Sequence, residues 1–306
     1  MLQVSRLRVF IEVAKQGSIS AAAEELSYTQ SAVSQQIAAL EAETGVNLIE
    51  RLPRGVRLTP AGRVLLEHAE GIVARLHAAE AELAAIAGLR GGQLRIASFP
   101  TAGATLMPLA IAMFRAQHPE VELTLAEGEP EEIAPRLFAG EFDLALLFEF
   151  EGTSDSLVTD LIRQPLFEDP MFLALPADHA LATRRTLRLA DLRAEAWVQT
   201  SSSSPCARHV VRSCHAAGFE PIVSFESDDY QTVQGLVAAG VGVALIPKLA
   251  LAGAREDIAI RALSPSSPVR EVVAATPEGT RLTAAAAAMR QILTDVSSRF
   301  VGPDII

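Results

Sequence analysis

Apolar residues recur at helical spacing from the start of the chain. Leu7, Phe10, Ile11 and Ala14 fall on one face, and Gly17 ends that segment. A short alanine-rich helix is predicted over 21–26. Thr29 then stands as a cap before a third helix over 30–42, whose apolar face is Val33, Ile37 and Leu40 and whose stop is Gly45. Residues 48–51 and 56–59 read as two strands around the turn Pro53-Arg54-Gly55, with Val56 and Leu58 inward and Arg57 and Thr59 outward. Thr59-Pro60 opens a long helix. Its apolar positions, Leu65, Ala69, Ile72, Leu76, Ala79, Leu83 and Ile86, step alternately by four and three, a heptad seam. Leu65, Ile72, Leu76, Leu83 and Ile86 are the dimerisation residues this seam predicts. Gly88, Gly91 and Gly92 then mark a boundary.

Beyond it strands and helices alternate. Strands are expected over 94–97, 121–126 and 144–148, with helices over 102–117 and 131–139 between them, an open α/β layer. After Pro165 the theme restarts: strands over 171–175, 197–199, 222–225 and 241–246, helices over 206–217 and 230–239. A strand over 269–275 and a helix over 282–300 return to the first lobe. The fold class expected is thus a mixed α+β and α/β multidomain chain. A winged helix-turn-helix covers 1–60, a long linker helix 61–90, and a two-lobed α/β domain 91–306. Lobe one takes 91–164 and 269–306, and lobe two takes 165–268.

Composition narrows the class of function. The chain has 306 residues, 49% hydrophobic and 21% charged, the mix of a folded globular protein. No apolar run reaches the roughly 20 residues a bilayer needs, no signal peptide is legible, and two cysteines make no disulfide framework. A cytoplasmic protein without membrane contact is expected. A net charge of -11 argues by itself against nucleic acid, but the charge is unevenly spread. Residues 1–60 hold six basic and six acidic side chains, and the other 246 hold 20 and 31. Arg51, Arg54, Arg57 and Arg63 follow one another with no acidic residue between them.

That local patch adjoins a helix with an open polar face. Opposite its apolar stripe the third helix carries Gln30, Ser31, Ser34 and Gln35, and no carboxylate stands between Glu25 and Glu41. Glutamine pairs bidentately with adenine, and serine meets base edges or phosphates. Ser18, Ser20 and Thr29 join them as DNA-facing candidates, and Arg51, Arg54 and Arg57 of the hairpin are placed like a wing beside the phosphate backbone.

The run Phe10, Ala14, Gly17-Ser18, Ser20-Ala21-Ala22-Ala23, Leu26, Thr29-Gln30-Ser31-Ala32-Val33-Ser34, Ile37, Leu40-Glu41 resembles the N-terminal signature of LysR-type transcriptional regulators. Leu48-Ile49-Glu50-Arg51 and Leu58-Thr59-Pro60-Ala61-Gly62 extend the likeness. It implies a bacterial transcription factor that binds double-stranded promoter DNA. It also implies pairing through the linker helix into a homodimer or homotetramer, with RNA polymerase as a further partner. The effector domain would be similar to periplasmic binding proteins. Ile49 stands where many members carry phenylalanine, and Gln35 where many carry arginine or lysine; with no basic residue at 35, base reading is expected to lean on A·T pairs.

For the effector, the candidates are Ser98, Phe99, Pro100 and Thr101 in one lobe and Thr200, Ser201 and Ser202 in the other. Each loop sits between a strand and a helix N-terminus, with hydroxyls and free amides suited to an anion such as a carboxylate. Phe148 is a further lining candidate. Neither loop holds an arginine, so binding is expected to rest on hydroxyls and amides. Cys206, His209, Cys214 and His215 raise a metal or redox alternative, since a peroxide-sensing branch of the family carries a cysteine pair in this region. On one helix the two sulfurs lie about 12 Å apart along the axis, beyond disulfide reach, and the spacing does not gather four ligands on one metal. No metal, cofactor or enzyme is expected: the chain lacks Gly-x-Ser-x-Gly, His-Glu-x-x-His, a P-loop and Gly-x-Gly-x-x-Gly after the first strand. A solute-binding α/β protein without DNA function is the alternative class.

Overall fold

The structure is a computed structural model that describes residues 2–52, 55–86, 92–151, 160–184, 187–265, 267–279 and 282–300. Its N-terminal helices, α1 (Val4–Gln16), α2 (Ile19–Glu25) and α3 (Gln30–Thr44), close over buried Phe10, Val13, Val33, Ile37 and Leu40. Their ends are set locally. Gly17 and Gly45 adopt the left-handed conformation that stops α1 and α3, with φ of 59° and 72°. Ser18 accepts from the Ala21 amide and Thr29 from the Ala32 amide, so hydroxyls cap α2 and α3. In the hairpin, β1 (Ile49–Arg51) pairs antiparallel with β2 (Val56–Leu58) and sets Glu50 opposite Arg57.

Arg57 points outward as expected, whereas Thr59 does not. Its hydroxyl donates to the Asn47 carbonyl at 2.7 Å and accepts from the Gly62 amide at 3.0 Å, capping α4 (Pro60–Ile86). The seam of α4 is also divided. Leu65 packs on the N-terminal core and Ala69 is buried there, while Ile72 and Leu76 remain exposed. A helix leaving a small domain first covers that domain's apolar face, so Leu65 is taken by its own subunit. The side chains of Leu83 and Ile86 lie outside those described.

In the second part β3 (Gln93–Ser98) leads into α5 (Pro100–Ala104) and α6 (Leu106–Gln117). The single helix expected over 102–117 breaks at Thr105, because Pro108 has no N–H for the carbonyl of residue 104 and fits only a first turn. Next come β4 (Glu122–Glu127), α7 (Pro130–Phe138), β5 (Leu144–Phe150) and β6 (Leu161–Pro176). β6 runs straight through Pro165, where a new module was expected to begin. A bulge at Leu166, which is skipped between the pairings of Phe167 with Val272 and Pro165 with Val273, absorbs the interruption.

Lobe two contains β7 (Ala196–Gln199), α8 (Pro205–Ala216), β8 (Ile222–Glu226), α9 (Tyr230–Ala238), β9 (Ala244–Pro247) and β10 (Ile258–Arg261), the last not anticipated from the sequence. The chain then returns through β11 (Val269–Pro277), inserted antiparallel between β5 and β6, and α10 (Ala284–Ser297), which packs on α6. β3 pairs in parallel with β4 and β5, whereas the end of β6 pairs antiparallel with β9 and β10. One strand therefore belongs to the sheets of both lobes, and the loops at their facing edges enclose a cleft. Among the described residues no helix is long and apolar enough to cross a membrane.

Candidate DNA interface and effector cleft

On α3, Gln30, Ser31 and Gln35 are exposed and Ser34 is half-buried, while Val33 and Ile37 hold the opposite face in the core. Ser18 and Thr29 are largely spent as helix caps, and Thr29 Oγ1 also lies 3.0 Å from Ser31 Oγ. Ser20 is exposed beside them. Arg51 is exposed, and Arg57 is tied to Glu50 Oε2 at 2.6 and 3.2 Å on the outer side of the wing. So exposed a pair contributes little, and a phosphate can compete for the guanidinium. Arg54 lies outside the described residues.

The wing is fastened to the helices by its backbone. Val56 donates to the Gly17 carbonyl at 2.8 Å, and Leu48 donates to Glu41 Oε1 at 2.8 Å. Gly55 is required there, since a Cβ would sit 2.5 Å from the Gly17 oxygen. One surface residue was missed in the sequence. Tyr28 is 55% exposed in the turn before α3, next to Ser27 with a φ of 55°. An aromatic at a turn breaks no apolar period and so leaves no signal.

In the cleft, Phe99, Pro100 and Thr101 face Thr200, Ser204 and Cys206 across the two lobes, with Phe148 on the floor. The remaining candidates do not line it. Ser98 is fully buried and donates to the Phe99 carbonyl at 3.1 Å. The amides offered by the serine loop are not free either. Ser201 N donates to Asp228 Oδ1 at 2.8 Å and Ser202 N to Glu226 Oε2 at 3.3 Å, so the chain's own carboxylates fill the expected anion site.

An arginine does line the cleft, contrary to the expectation of hydroxyls and amides alone. Arg270 of β11 is 1% exposed, lies over both the Phe99 and Phe148 rings, and donates through Nε to Asp169 at 2.9 Å and through Nη2 to Thr101 Oγ1 at 2.7 Å. Burial opposes its charge, but Asp169, with Cys206 and Tyr230, more than restores it. Among the described residues Nη1 meets only Cys206 Sγ, at 3.8 Å. Glu129, Asp228 and Tyr230 also line the cleft and were likewise missed. Burial pushes the Glu129 carboxyl up to about 7, against the pull of Arg270 and with help from Glu131, Asp228 and Glu132. A salt bridge from Arg208 of α8 to Glu131 of α7 ties the lobes together beside it. The free space within is about 10 Å³, room for a single water.

Two family models match the chain: a bacterial regulatory helix-turn-helix of the lysR family over residues 4–63, and a LysR substrate binding domain over residues 87–298. The chain belongs to the LysR family of transcriptional regulators. It is a LysR-type regulator with an effector-binding domain. The transcriptional dual regulator GltC of Bacillus subtilis is 32% identical over 248 residues, 81% of each chain. The transcriptional dual regulator OxyR of Escherichia coli is 31% identical over 254 residues, 82% of this chain and 80% of its own. Among solved structures, a full-length OxyR point variant from Pseudomonas aeruginosa gives a TM-score of 0.71 at 23% identity, covering 97% of this chain and 95% of its own, a likeness of fold. The LysR regulator CbnR in complex with its target DNA gives 0.54 at 25% identity, covering 97% and 100%.

In this LysR regulator both cysteines lie on α8 and both are buried. Burial pushes the Cys206 thiol up, with Arg270 pulling against it, and pushes Cys214 up to about 12. His209 stacks on Phe150 at 4.0 Å, and burial lowers it to about 4, so it is a neutral packing ring. Among the described residues these four groups do not gather as metal ligands.

Proposed function

We propose that this regulator works in the bacterial cytoplasm, without catalytic turnover, as a homodimer or homotetramer on double-stranded promoter DNA. In this reading residues 1–60 bind DNA, 61–90 join the subunits and 91–306 sense a small molecule whose presence alters the promoter complex, with RNA polymerase as the downstream partner. The observation that carries it is α3: its exposed face holds Gln30, Ser31, Ser34 and Gln35 free of carboxylates, with a wing arginine, Arg51, exposed nearby. Gel shifts against the chain's own upstream DNA test it. Gln30→Ala should relax base preference, each lost contact costing about 1–3 kcal/mol. Arg51→Ala should weaken all sequences alike and flatten the salt dependence. The opposite assignment of effects would exchange the roles of helix and wing.

The effector reading places the ligand between Phe99, Thr101 and Phe148 of one lobe and Thr200 and Ser204 of the other. A second reading, oxidant sensing, is favoured by one observation: Cys206 Sγ faces Arg270 Nη1 in a space the size of a water. Its thiolate would attack a peroxide oxygen, breaking the O–O bond to give a sulfenic acid and, after protonation of the leaving oxygen, water or an alcohol. Burial disfavours that thiolate. Slow alkylation of Cys206 at pH 7, and a promoter response to peroxide that survives Cys206→Ser, would dismiss this second reading.

A further inference from the structure

Three polar groups in the cleft lack a proper partner, and they differ in kind. Glu129, the residue before α7, has a half-buried carboxyl with no hydrogen-bond donor among the described residues, and Asp228 faces it from lobe two. The Tyr230 hydroxyl is buried and, among the described residues, has no partner better than the weakly interacting Cys206 sulfur. The third is Arg270 Nη1, whose one hydrogen-bond partner among the described residues is the weakly accepting Cys206 sulfur, although Nε and Nη2 are fully engaged. Buried polar groups left like this are costly, and a ligand that satisfies them is strongly selected.

Neither simple charge type fits. A plain carboxylate can reach Arg270 Nη1, but it finds the serine-loop amides already occupied by Asp228 and Glu226 and sits beside Glu129. A plain cation suits Glu129 and Asp228 but meets the Arg270 guanidinium behind them. A molecule carrying both groups answers each vacancy.

Building on the effector reading above, we propose that the cleft binds a small zwitterion of the amino-acid class. Its ammonium lies between Glu129 and Asp228, and its carboxylate accepts from Arg270 Nη1 and the Tyr230 hydroxyl. The ammonium brings three donors to two acceptor groups, and the carboxylate brings acceptors to the two remaining donors. Entry requires the lobes to part, since the free space now holds one water, so the Arg208–Glu131 tie must loosen. A ligand lacking either end leaves a buried group unpaired, which is how such sites reject close analogues.

The test uses the full-length protein in thermal-shift and calorimetric titrations. The proteinogenic L-amino acids are the probes, each with its deaminated acid and its decarboxylated amine. At least one amino acid should bind, with both of its halves at least tenfold weaker. Glu129→Gln, checked for folding by circular dichroism, should weaken that amino acid at least tenfold and leave the deaminated acid unchanged. A deaminated acid or an amine that binds as well as its parent overturns the zwitterion while leaving the cleft in place. So does the absence of binding by every amino acid. A ligand indifferent to both Glu129→Gln and Thr101→Val lies outside the cleft and overturns the effector reading as well.

Discussion

Arg270 and Asp169 are each 1% exposed and meet at 2.8 Å, and Asp169 also accepts from the Leu249 amide at 3.1 Å. Removing one partner of such a pair strands the other charge. Asp169→Ala should cost about 3–5 kcal/mol, read as a lower urea midpoint. Glu129 makes the opposite prediction. Its carboxyl is raised to about 7 from 4.5, so the folded chain keeps a proton that the unfolded chain has lost. Stability falls as pH rises through that window and stays lower above it. Glu129→Gln, with no proton to lose, should melt above the parent at pH 8 and level with it near pH 4.5. The gain is roughly 2–4 °C for each kcal/mol relieved; an equal difference at both pH values would break the linkage. None of these residues was legible beforehand. Arg270-Glu271 in β11 and Glu168-Asp169 in β6 are adjacent polar pairs, so period-two alternation sends one of each inward without saying which. The hydroxyl loops were legible, but the carboxylates that fill the serine-loop amides come from a strand end some 25 residues on, beyond any local pattern.

Elements whose limits depend on neighbouring residues were legible nearly throughout. The three N-terminal helices are cut by Ser18, Gly17, Thr29 and Gly45, all visible as caps and stops. What an element packs on was harder to read. The heptad steps of α4 are real, but Leu65 and Ala69 face α1, and only contacts distant in sequence decide that. Gly62 shows how tightly α4 is seated: a Cβ there would lie 2.1 Å from the Leu48 carbonyl oxygen. Gly62→Ala should therefore destabilise the N-terminal domain by about 1–3 kcal/mol, visible in its thermal melt. Leu76→Asp belongs to the same helix and tests something different. Leu76 is exposed in the single chain, so its replacement should leave the melting of the isolated fold alone while light scattering reports smaller particles. Particles of unchanged size would take this stretch out of the subunit contact. Helix α6 shows the remaining kind of miss, where Pro108 punctuates a run that apolar period alone reads as continuous.

At the scale of the molecule, the two-lobe plan was readable because βα units repeat, while the sharing of β6 between both sheets was hidden by Pro165 and Pro170. The consequence of the seat at Gly62 reaches further than stability. With no room for a side chain between wing and α4, the DNA-reading head and the 27-residue helix turn as one piece. That piece is a lever about 40 Å long. The same helix touches lobe one through α7, and Arg75 approaches Gly279 there. A tilt of about 5° imposed by the lobe swings the far end by about 3–4 Å, close to the roughly 3.4 Å that each nucleotide of a strand advances along the duplex axis. On the proposed effector reading, a change in the cleft far too slight to alter the shape of either lobe would thus be enough to move a head out of step with the groove it reads.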